Sequence, residues 1–427
     1  MDEEREPEST KDVEVAPALI AVHPDHHSVA VAVGPDLRVF DLIAGSAASL
    51  VDDSVSGGQQ QPPFHKDSIR AIRFAANGKL FVSAGDDKTV KIWSPPQSWR
   101  CIATVLSEKR VTAVAISNDG CYVCFADKFG VVWVVDLEQP LGDKKPTPLL
   151  SHYCSIITSL EFSPDGRFIL SADRDFKIRV TCFPDKPLNG AHEIQSFCLG
   201  HTEFVSCLAF VPAKECPQSL LLSGSGDSTV RLWDISSGAL LDTCEVANKA
   251  GLLESNGNAE ELGHAVTNLC TTHDGLLVAA AIQSLQGIVL MSCNSSSQKL
   301  SVIKVVSFAG DGFVPTCLGN IPSTGKLWMV TGVSSLPGSN YPSVARVRVI
   351  SGIDGDQEPV VLGDDNIPGG EKLLQTLQGT ASVDDNAFLA AAEAVKTAMC
   401  NLLVKKQYPA ENREYRKKTR NDRKHKG

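Results

Sequence analysis

Histidine, serine and aspartate recur together in this chain, in the combination that hydrolases use for nucleophilic catalysis. His65, Ser83 and Asp87 form one such set, and Trp93 follows the aspartate by six residues. The same serine–aspartate and aspartate–tryptophan gaps return in a second set, which consists of His201, Ser223, Asp227 and Trp233. A catalytic site is needed only once, whereas a set repeated at fixed spacing serves a repeated structural unit. We therefore interpret both sets as structural.

A hydrogen-bonded unit explains why these residue types occur together. An aspartate carboxylate can accept hydrogen bonds from turn amides and from the histidine, and the serine hydroxyl can link histidine to the indole. A third copy contains His152, Ser171 and Asp175 but has Thr181 in place of the tryptophan. Alternating apolar strands and Asn-Gly or Asp-Gly hairpin turns surround the sets. This combination is typical of WD repeats, the blades of a β-propeller.

Four weaker copies complete the repeat pattern, and together they predict an all-β, seven-bladed WD-repeat propeller over residues 18–351. They are Ala18–Leu42, Arg110–Leu137, His264–Cys293 and Phe313–Val333 with the strand that follows it. Seven units give about 48 residues per blade, slightly above the usual ~40–45. Eight blades are arithmetically possible, but only seven units can be identified. We expect the N-terminal segment to complete the last blade.

The segments outside the propeller differ in composition. Residues 1–14 are acidic and predicted to be disordered, and residues 352–382, rich in Gly and Asp, are predicted to form a linker. Apolar residues at helical spacing predict an amphipathic helix over 383–406. Residues 407–427 form a basic tail, predicted to be disordered, that could bind RNA or direct nuclear import. The candidate RNA-binding residues are Arg416, Lys417, Lys418 and Arg420.

Composition excludes several other classes of protein. A net charge of −10 argues against a protein that coats nucleic acid with its whole surface. No stretch is apolar enough to cross a membrane, and the acidic start does not resemble a signal peptide. Thirteen scattered cysteines favour a reducing compartment. Cys121 and Cys124 lie three residues apart on a predicted strand, so they point to opposite faces, which favours two core side chains over a shared metal site. We predict no catalytic, cofactor-binding or metal-binding residue.

Three runs of sequence go beyond the general WD pattern. SADRDFKIRVT, FCLGHTEFVS and the weaker DKFGVVW resemble the WD-repeat non-catalytic subunit of tRNA (guanine-N7-)-methyltransferase. The resemblance implies a heterodimer in which a separate enzyme binds S-adenosylmethionine and methylates N7 of a guanosine in the tRNA variable loop. The propeller would stabilise that enzyme and help to position the tRNA. It would use no cofactor and perform no reaction. The basic tail, read as an import signal, predicts that the protein works in the nucleus.

The resemblance also selects residues for partner binding in the fourth blade. Arg174, Asp175, Lys177 and Arg179 match its motif, although the spacing gives Asp175 a structural role first. Arg179 is the best candidate for a salt bridge to a partner carboxylate. From spacing alone, a solvated charged edge strand explains these cations equally well.

Other functions of a WD propeller remain open from the sequence. One is a substrate receptor of a ubiquitin ligase, which often carries Arg two residues after the Trp-Asp pair. Here Ser236 occupies that position after Trp233 and Asp234. A general scaffold for protein assembly is the other alternative. It predicts no special role for the edge of the fourth blade.

Overall fold

Short strands with tight turns between them form seven sheets in chain order, six with four strands and one with five. The computed structural model describes residues 15–52, 64–95, 99–139, 144–152, 155–212, 220–252, 264–308, 312–319, 324–336, 343–353, 358–379 and 385–404. Within each sheet, four strands that follow one another along the chain pair antiparallel, as β-hairpins require. Each sheet is one blade of a propeller.

The first three blades contain thirteen strands. Blade 1 contains β1 (Leu19–Val22), β2 (Ser28–Val33), β3 (Asp36–Asp41) and β4 (Ser46–Ala47). Blade 2 contains β6 (Ile69–Phe74), β7 (Phe81–Gly85), β8 (Thr89–Ser94) and β9 (Trp99–Leu106), with β5 (Leu50–Val51) parallel to β9. Blade 3 contains β10 (Val111–Ile116), β11 (Tyr122–Asp127), β12 (Val131–Asp136) and β13 (Thr147–Ser151).

The other four blades contain four strands each. Blade 4 contains β14 (Ile157–Phe162), β15 (Phe168–Asp173), β16 (Lys177–Cys182) and β17 (Ile194–Leu199). Blade 5 contains β18 (Val205–Val211), β19 (Leu220–Ser225), β20 (Thr229–Asp234) and β21 (Ala239–Glu245). Blade 6 contains β22 (Val266–Thr271), β23 (Leu277–Ile282), β24 (Gly287–Asn294) and β25 (Lys299–Ser307). Blade 7 contains β26 (Cys317–Leu318), β27 (Leu327–Val333), β28 (Val344–Ser351) and β29 (Val360–Val361).

The first strands of the blades form a closed ring around a central channel. Each of them contacts the first strand of the next blade, and β26 of the last blade contacts β1. The core lies between neighbouring sheets, where apolar side chains of one blade pack on those of the next. The predicted seven-bladed propeller is therefore confirmed.

Ring closure differs from the expectation that the N-terminal segment completes the last blade. The first strand of the chain, β1, is the innermost strand of blade 1. Among the described residues, no strand before β1 pairs with the outer edge of blade 7. That edge is β29, which pairs with β28. The described N-terminal residues lie beside β27 instead: Pro17 forms a β-bridge with Val333, and the amide of Ala18 donates to the carbonyl of Gly332 over 2.9 Å.

The prediction that residues 352–382 form a linker is wrong. Besides β29, this segment contains the helix α2 (Gly370–Gln378) and a 3₁₀ turn, Asp364–Asn366. Leu373, Leu374 and Leu377 of α2 are buried in the core that blades 7 and 1 share. Gly and Asp content suggested a linker, but these leucines at helical spacing supply an apolar face that needs a surface to cover.

A longer helix, α3 (Asp385–Leu403), corresponds to the amphipathic helix predicted over 383–406. Its first half packs Phe388 and Ala391 against Val333 and Val344 of blade 7. Met399, Leu402 and Leu403, in its last turns, pack with Ile156, Phe204 and Ala265, which precede blades 4, 5 and 6. The helix therefore crosses one mouth of the central channel. The predictions for residues 1–14 and 407–427 lie outside the described residues.

Two shorter helical segments lie between strands, α1 (Val246–Lys249) and the 3₁₀ turn Pro187–Asn189. In the part of the chain that the structure describes, no helix combines the length and apolar character needed to span a membrane. The cysteines placed there are all free thiols, and most of them are buried.

Candidate partner-binding edge

The histidine–serine–aspartate–tryptophan set of blade 2 is a closed hydrogen-bonded group. Nδ1 of His65 lies 2.9 Å from Oδ2 of Asp87, and its Nε2 lies 2.8 Å from Oγ of Ser83. The indole of Trp93 donates to the same Oγ over 3.0 Å. An ionised aspartate only accepts, which assigns the ring proton to Nδ1 and leaves Nε2 to accept from the hydroxyl. The blade 5 set repeats this arrangement with His201, Ser223, Asp227 and Trp233.

These sets cannot act as catalytic triads, because the serine hydroxyl is inaccessible. Ser83 and Ser223 are fully buried, and both oxygens are occupied by the histidine and the indole. Burial alone would raise the pKa of Asp87, but hydrogen bonds from His65 and Thr89 outweigh it and lower that pKa to about 2. The carboxylate therefore stays ionised as a structural acceptor.

In blade 4, Asp173 takes the place that the spacing assigns to Asp175. Nδ1 of His152 lies 2.9 Å from Oδ2 of Asp173, and its Nε2 lies 2.7 Å from Oγ of Ser171. Asp173 is the last residue of β15, where blade 2 has Gly85, so its carboxylate reaches the histidine from the strand instead of from the turn. It also accepts from the amides of Asp175 and Lys177. The structural role given to Asp175 is therefore wrong.

Blade 4 also differs from blades 2 and 5 in lacking the tryptophan. Thr181 stands at the tryptophan position and is fully buried. Its hydroxyl has no hydrogen-bond partner in the described structure. Asp173 occupies the place beside His152 that the spacing assigns to Asp175. Asp175 is half-buried and lies 3.9 Å from the guanidinium of Arg174.

Arg179 differs from the basic residues at the same position in two other blades. In blade 2, Lys91 forms a buried ion pair with Asp52. In blade 5, Arg231 lies 3.6 Å from Asp227. Among the described residues, Arg179 has no acidic partner: it donates to the carbonyl of Ser151 over 3.1 Å, and its Nε is buried without a hydrogen bond. Burial lowers the pKa of Arg179, and no nearby carboxylate offsets this effect. A partly desolvated cation without a counterion is costly.

Apolar side chains accompany these cations on the same face of blade 4. Strand β17 pairs with β16 so that Phe197 lies opposite Arg179 and Leu199 lies opposite Lys177. Residues opposite one another in an antiparallel pair project to the same face. Phe197 is 43% exposed and Leu199 59% exposed. Sequence reasoning did not single out these two, although alternation along the last strand of a blade is a signal that could have found them.

We call this surface the blade 4 edge, and define it as Arg174, Lys177, Arg179, Phe197 and Leu199. Lys177 is exposed and, in the described part of the chain, forms no ion pair. The Nε of Arg174 is buried without a hydrogen bond. Lys177 and Arg179, which have no acidic partner among the described residues, lie beside an exposed apolar pair, and such a surface is suited to a protein that offers both carboxylates and apolar groups.

One cluster elsewhere has the residue types of a metal site. His23, Asp25 and His27 place potential ligand atoms within 4.8 Å of one another. However, Nδ1 of His23 accepts from the amide of Asp25 and its Nε2 donates to the carbonyl of Gly78. Both ring nitrogens are engaged, so the cluster fits a structural role better than metal binding.

The family comparison points to one class of WD protein. A family model described as the tRNA methyltransferase TRM82 WD40 domain matches residues 143–314, which include blade 4. A model of the WD domain, G-beta repeat, matches residues 59–94. The solved RRP9 WD40 repeats are similar in fold, with a TM-score of 0.58 at 17% identity, covering 79% of this chain and 95% of that one.

Curated relatives illustrate the similarity of this chain to named proteins. The tRNA (guanine-N(7)-)-methyltransferase non-catalytic subunit wdr4 of Xenopus laevis is 28% identical over 93% of this chain and 94% of its own. The protein of that name from Danio rerio is 34% identical over 58% of this chain and 56% of its own. The alignments with the zebrafish and the Dictyostelium discoideum proteins span little more than half of those relatives' lengths, 56% and 51%. The chain is thus similar in sequence to the WD-repeat non-catalytic subunits of tRNA (guanine-N7-)-methyltransferase.

Proposed function

We propose that this chain is the non-catalytic subunit of a tRNA (guanine-N7-)-methyltransferase and binds the catalytic subunit through the blade 4 edge. The observation that carries the proposal is the under-neutralised Arg179, whose counterparts in blades 2 and 5 have carboxylate partners within the chain. A carboxylate on the enzyme would complete the same pairing across an interface.

The propeller would act by binding energy alone. A subunit that binds only the active conformation of an enzyme stabilises that conformation by mass action. The buried serines of the WD sets supply no nucleophile. We expect the chain alone to transfer no methyl group, and the two subunits together to methylate tRNA faster than the enzyme alone.

A substitution at Arg179 tests the interface. Arg179→Ala should weaken capture of the methyltransferase by about 2–5 kcal/mol, because it leaves the partner's carboxylate buried and unpaired. Arg167→Ala is the matched control, since Arg167 lies in the same blade but is exposed and paired with its own Asp165. Unfolding curves establish that both variants fold. Capture by Arg179→Ala equal to that of wild type would overturn the assignment.

The basic tail has two proposed roles, RNA binding and nuclear import. Arg416, Lys417, Lys418 and Arg420 would release counterions from tRNA phosphates, so deleting residues 413–427 should lower affinity chiefly at low salt. Unchanged tRNA affinity would leave only import as its role. A fluorescent fusion that stays in the nucleus without the tail would contradict the import signal.

The scaffold alternative that uses the central opening has less support. Helix α3 crosses the mouth of the channel on the side where Ile156 and Phe204 lie. A partner entering there would have to displace it.

A further inference from the structure

A cavity of about 200 Å³ lies beneath helix α3, at the mouth of the central channel that this helix crosses. Its apolar wall includes Val395, Met399 and Leu402 of α3, and Ile156, which precedes blade 4. Met399 and Leu402 are only partly buried, although they lie on the face of α3 that packs on the propeller. An apolar cavity of about 150 Å³ is enough to bind benzene. The space beneath α3 is therefore large enough for a molecule with one ring.

The other wall of the cavity is polar and is formed by the ring of first strands. In blades 3 to 6, the second residue of the first strand has a hydroxyl group that lines the cavity: Thr112, Thr158, Ser206 and Thr267. Each hydroxyl donates to a backbone carbonyl, so the fold itself uses these donors. In blade 2 the same position holds Arg70, which also lines the cavity. Blade 2 thus places a cation where the next four blades have a hydroxyl.

The polar wall carries more positive than negative charge. Arg70 and Arg110 share the carboxylate of Asp86: Nε of Arg70 lies 2.7 Å from Oδ2, and Nη1 of Arg110 lies 3.9 Å from Oδ1. Lys128 is the third cation of the lining, and among the described lining residues Asp86 is the only acid. Even when the buried carboxylate of the neighbouring Asp127 is counted, three cations face two acids. An anion would neutralise the remaining charge.

We propose that this space, here called the α3 cavity, binds a small carboxylate whose apolar body is about the size of one ring. The carboxylate pairs with Arg110, whose side chain is 38% exposed, and the ring lies against Met399 and Leu402. An inorganic anion would leave the apolar wall uncovered, and a neutral apolar molecule would leave the positive charge without a counterion. The inference is independent of the proposed function, because the lining includes no residue of the blade 4 edge.

The experiment measures the affinity of the full chain for benzoate, benzamide and benzamidine by ligand-observed NMR. The three probes share one ring and differ in charge. Benzoate should bind about 10-fold more tightly than the neutral benzamide, because a hydrogen bond to a charged group is stronger than one between neutral groups. The cationic benzamidine should show no measurable binding.

Variants locate the binding site. Arg110→Gln should remove the preference for benzoate over benzamide, since it removes the charge that pairs with the carboxylate. Met399→Trp should abolish the binding of both probes, because the larger side chain fills the cavity. Thr397→Trp is the matched control, at an exposed position of α3 outside the lining, and should bind benzoate as wild type does. Unfolding curves establish that all three variants fold.

Three results would overturn the inference. One is a wild-type chain that does not distinguish benzoate from benzamide, whether it binds both equally or neither. Another is benzoate binding that Met399→Trp leaves unchanged, which would place the anion elsewhere. The third is benzoate binding that appears only after deletion of residues 1–14, which contain seven acids and two bases. That result would make the acidic segment, and not a small carboxylate, the occupant of the cavity.

Discussion

Trp328 and His26 join the last blade to the first. The indole Nε1 of Trp328, in β27, donates to Nε2 of His26, in the turn between β1 and β2, over 3.0 Å. In the same turn, His23 donates to the carbonyl of Gly78 in blade 2. The first blade is therefore tied to both neighbours by histidines of one short loop, HPDHH.

This contact predicts that acid loosens the closure of the ring. Burial, with weaker effects of Lys326 and His27, lowers the pKa of His26 to about 4, so the folded protein holds it neutral as an acceptor. The unfolded chain binds the proton from about pH 6.5 downward. Stability from neutral His26 is therefore complete above pH 6.5 and is lost as pH falls toward 4.

Urea unfolding between pH 7.5 and 4.5 measures this effect. His26→Asn is the useful variant, because His26 has a φ of 58° and asparagine tolerates that region. Its stability should fall less steeply with acid than that of wild type. Equal slopes for the two proteins would contradict the role of His26.

The two aspartates of blade 4 should differ sharply in their contribution to stability. Asp173→Asn alters a buried carboxylate that binds His152 and two turn amides, and should cost about 1–3 kcal/mol. Asp175→Asn should cost less than Asp173→Asn, because the carboxylate that binds His152 belongs to Asp173. Urea denaturation measures the free energy of unfolding of both variants. A larger loss of stability in Asp175→Asn than in Asp173→Asn would show that Asp175 has the structural role.

Thr181→Val should be neutral or stabilising, by up to about 1 kcal/mol. The valine retains the shape of the side chain and removes a buried hydroxyl without a hydrogen bond. Thr229→Val in blade 5 is the contrast, because that hydroxyl donates to Asp227 over 2.6 Å and its removal should destabilise. Thermal unfolding of the pair tests this, and destabilisation by Thr181→Val would mean that its hydroxyl is hydrogen-bonded in solution.

Helix α2 should be essential for ring stability. Leu377→Ala empties a fully buried site between blades 7 and 1 and should cost about 2–5 kcal/mol. Lys372→Ala, on the exposed side of the same helix, should change little. If both variants unfold at the same denaturant concentration, the helix does not hold the ring closed.

The sequence by itself determined the propeller and its blade count. Each repeat contains its own strands, turns and, in blades 2 and 5, a histidine–serine–aspartate–tryptophan set, so the evidence for a blade lies within about 30 to 35 neighbouring residues. The repetition of His65, Ser83, Asp87 and Trp93 also identified these side chains as structural. The fourth blade departed visibly from the pattern, which directed attention to Arg174, Lys177 and Arg179.

Only the tertiary structure decided which residues complete each contact. Whether His152 meets Asp173 or Asp175 depends on where a strand ends, and spacing alone does not resolve a shift of two residues. Whether Arg179 has a carboxylate partner depends on residues far away in the chain, as the pairing of Lys91 with Asp52 shows. The anchoring of α2 and the path of α3 likewise depend on apolar surfaces of distant blades. Local periodicity can predict an apolar face, but the surface that covers it is set by packing of the whole ring.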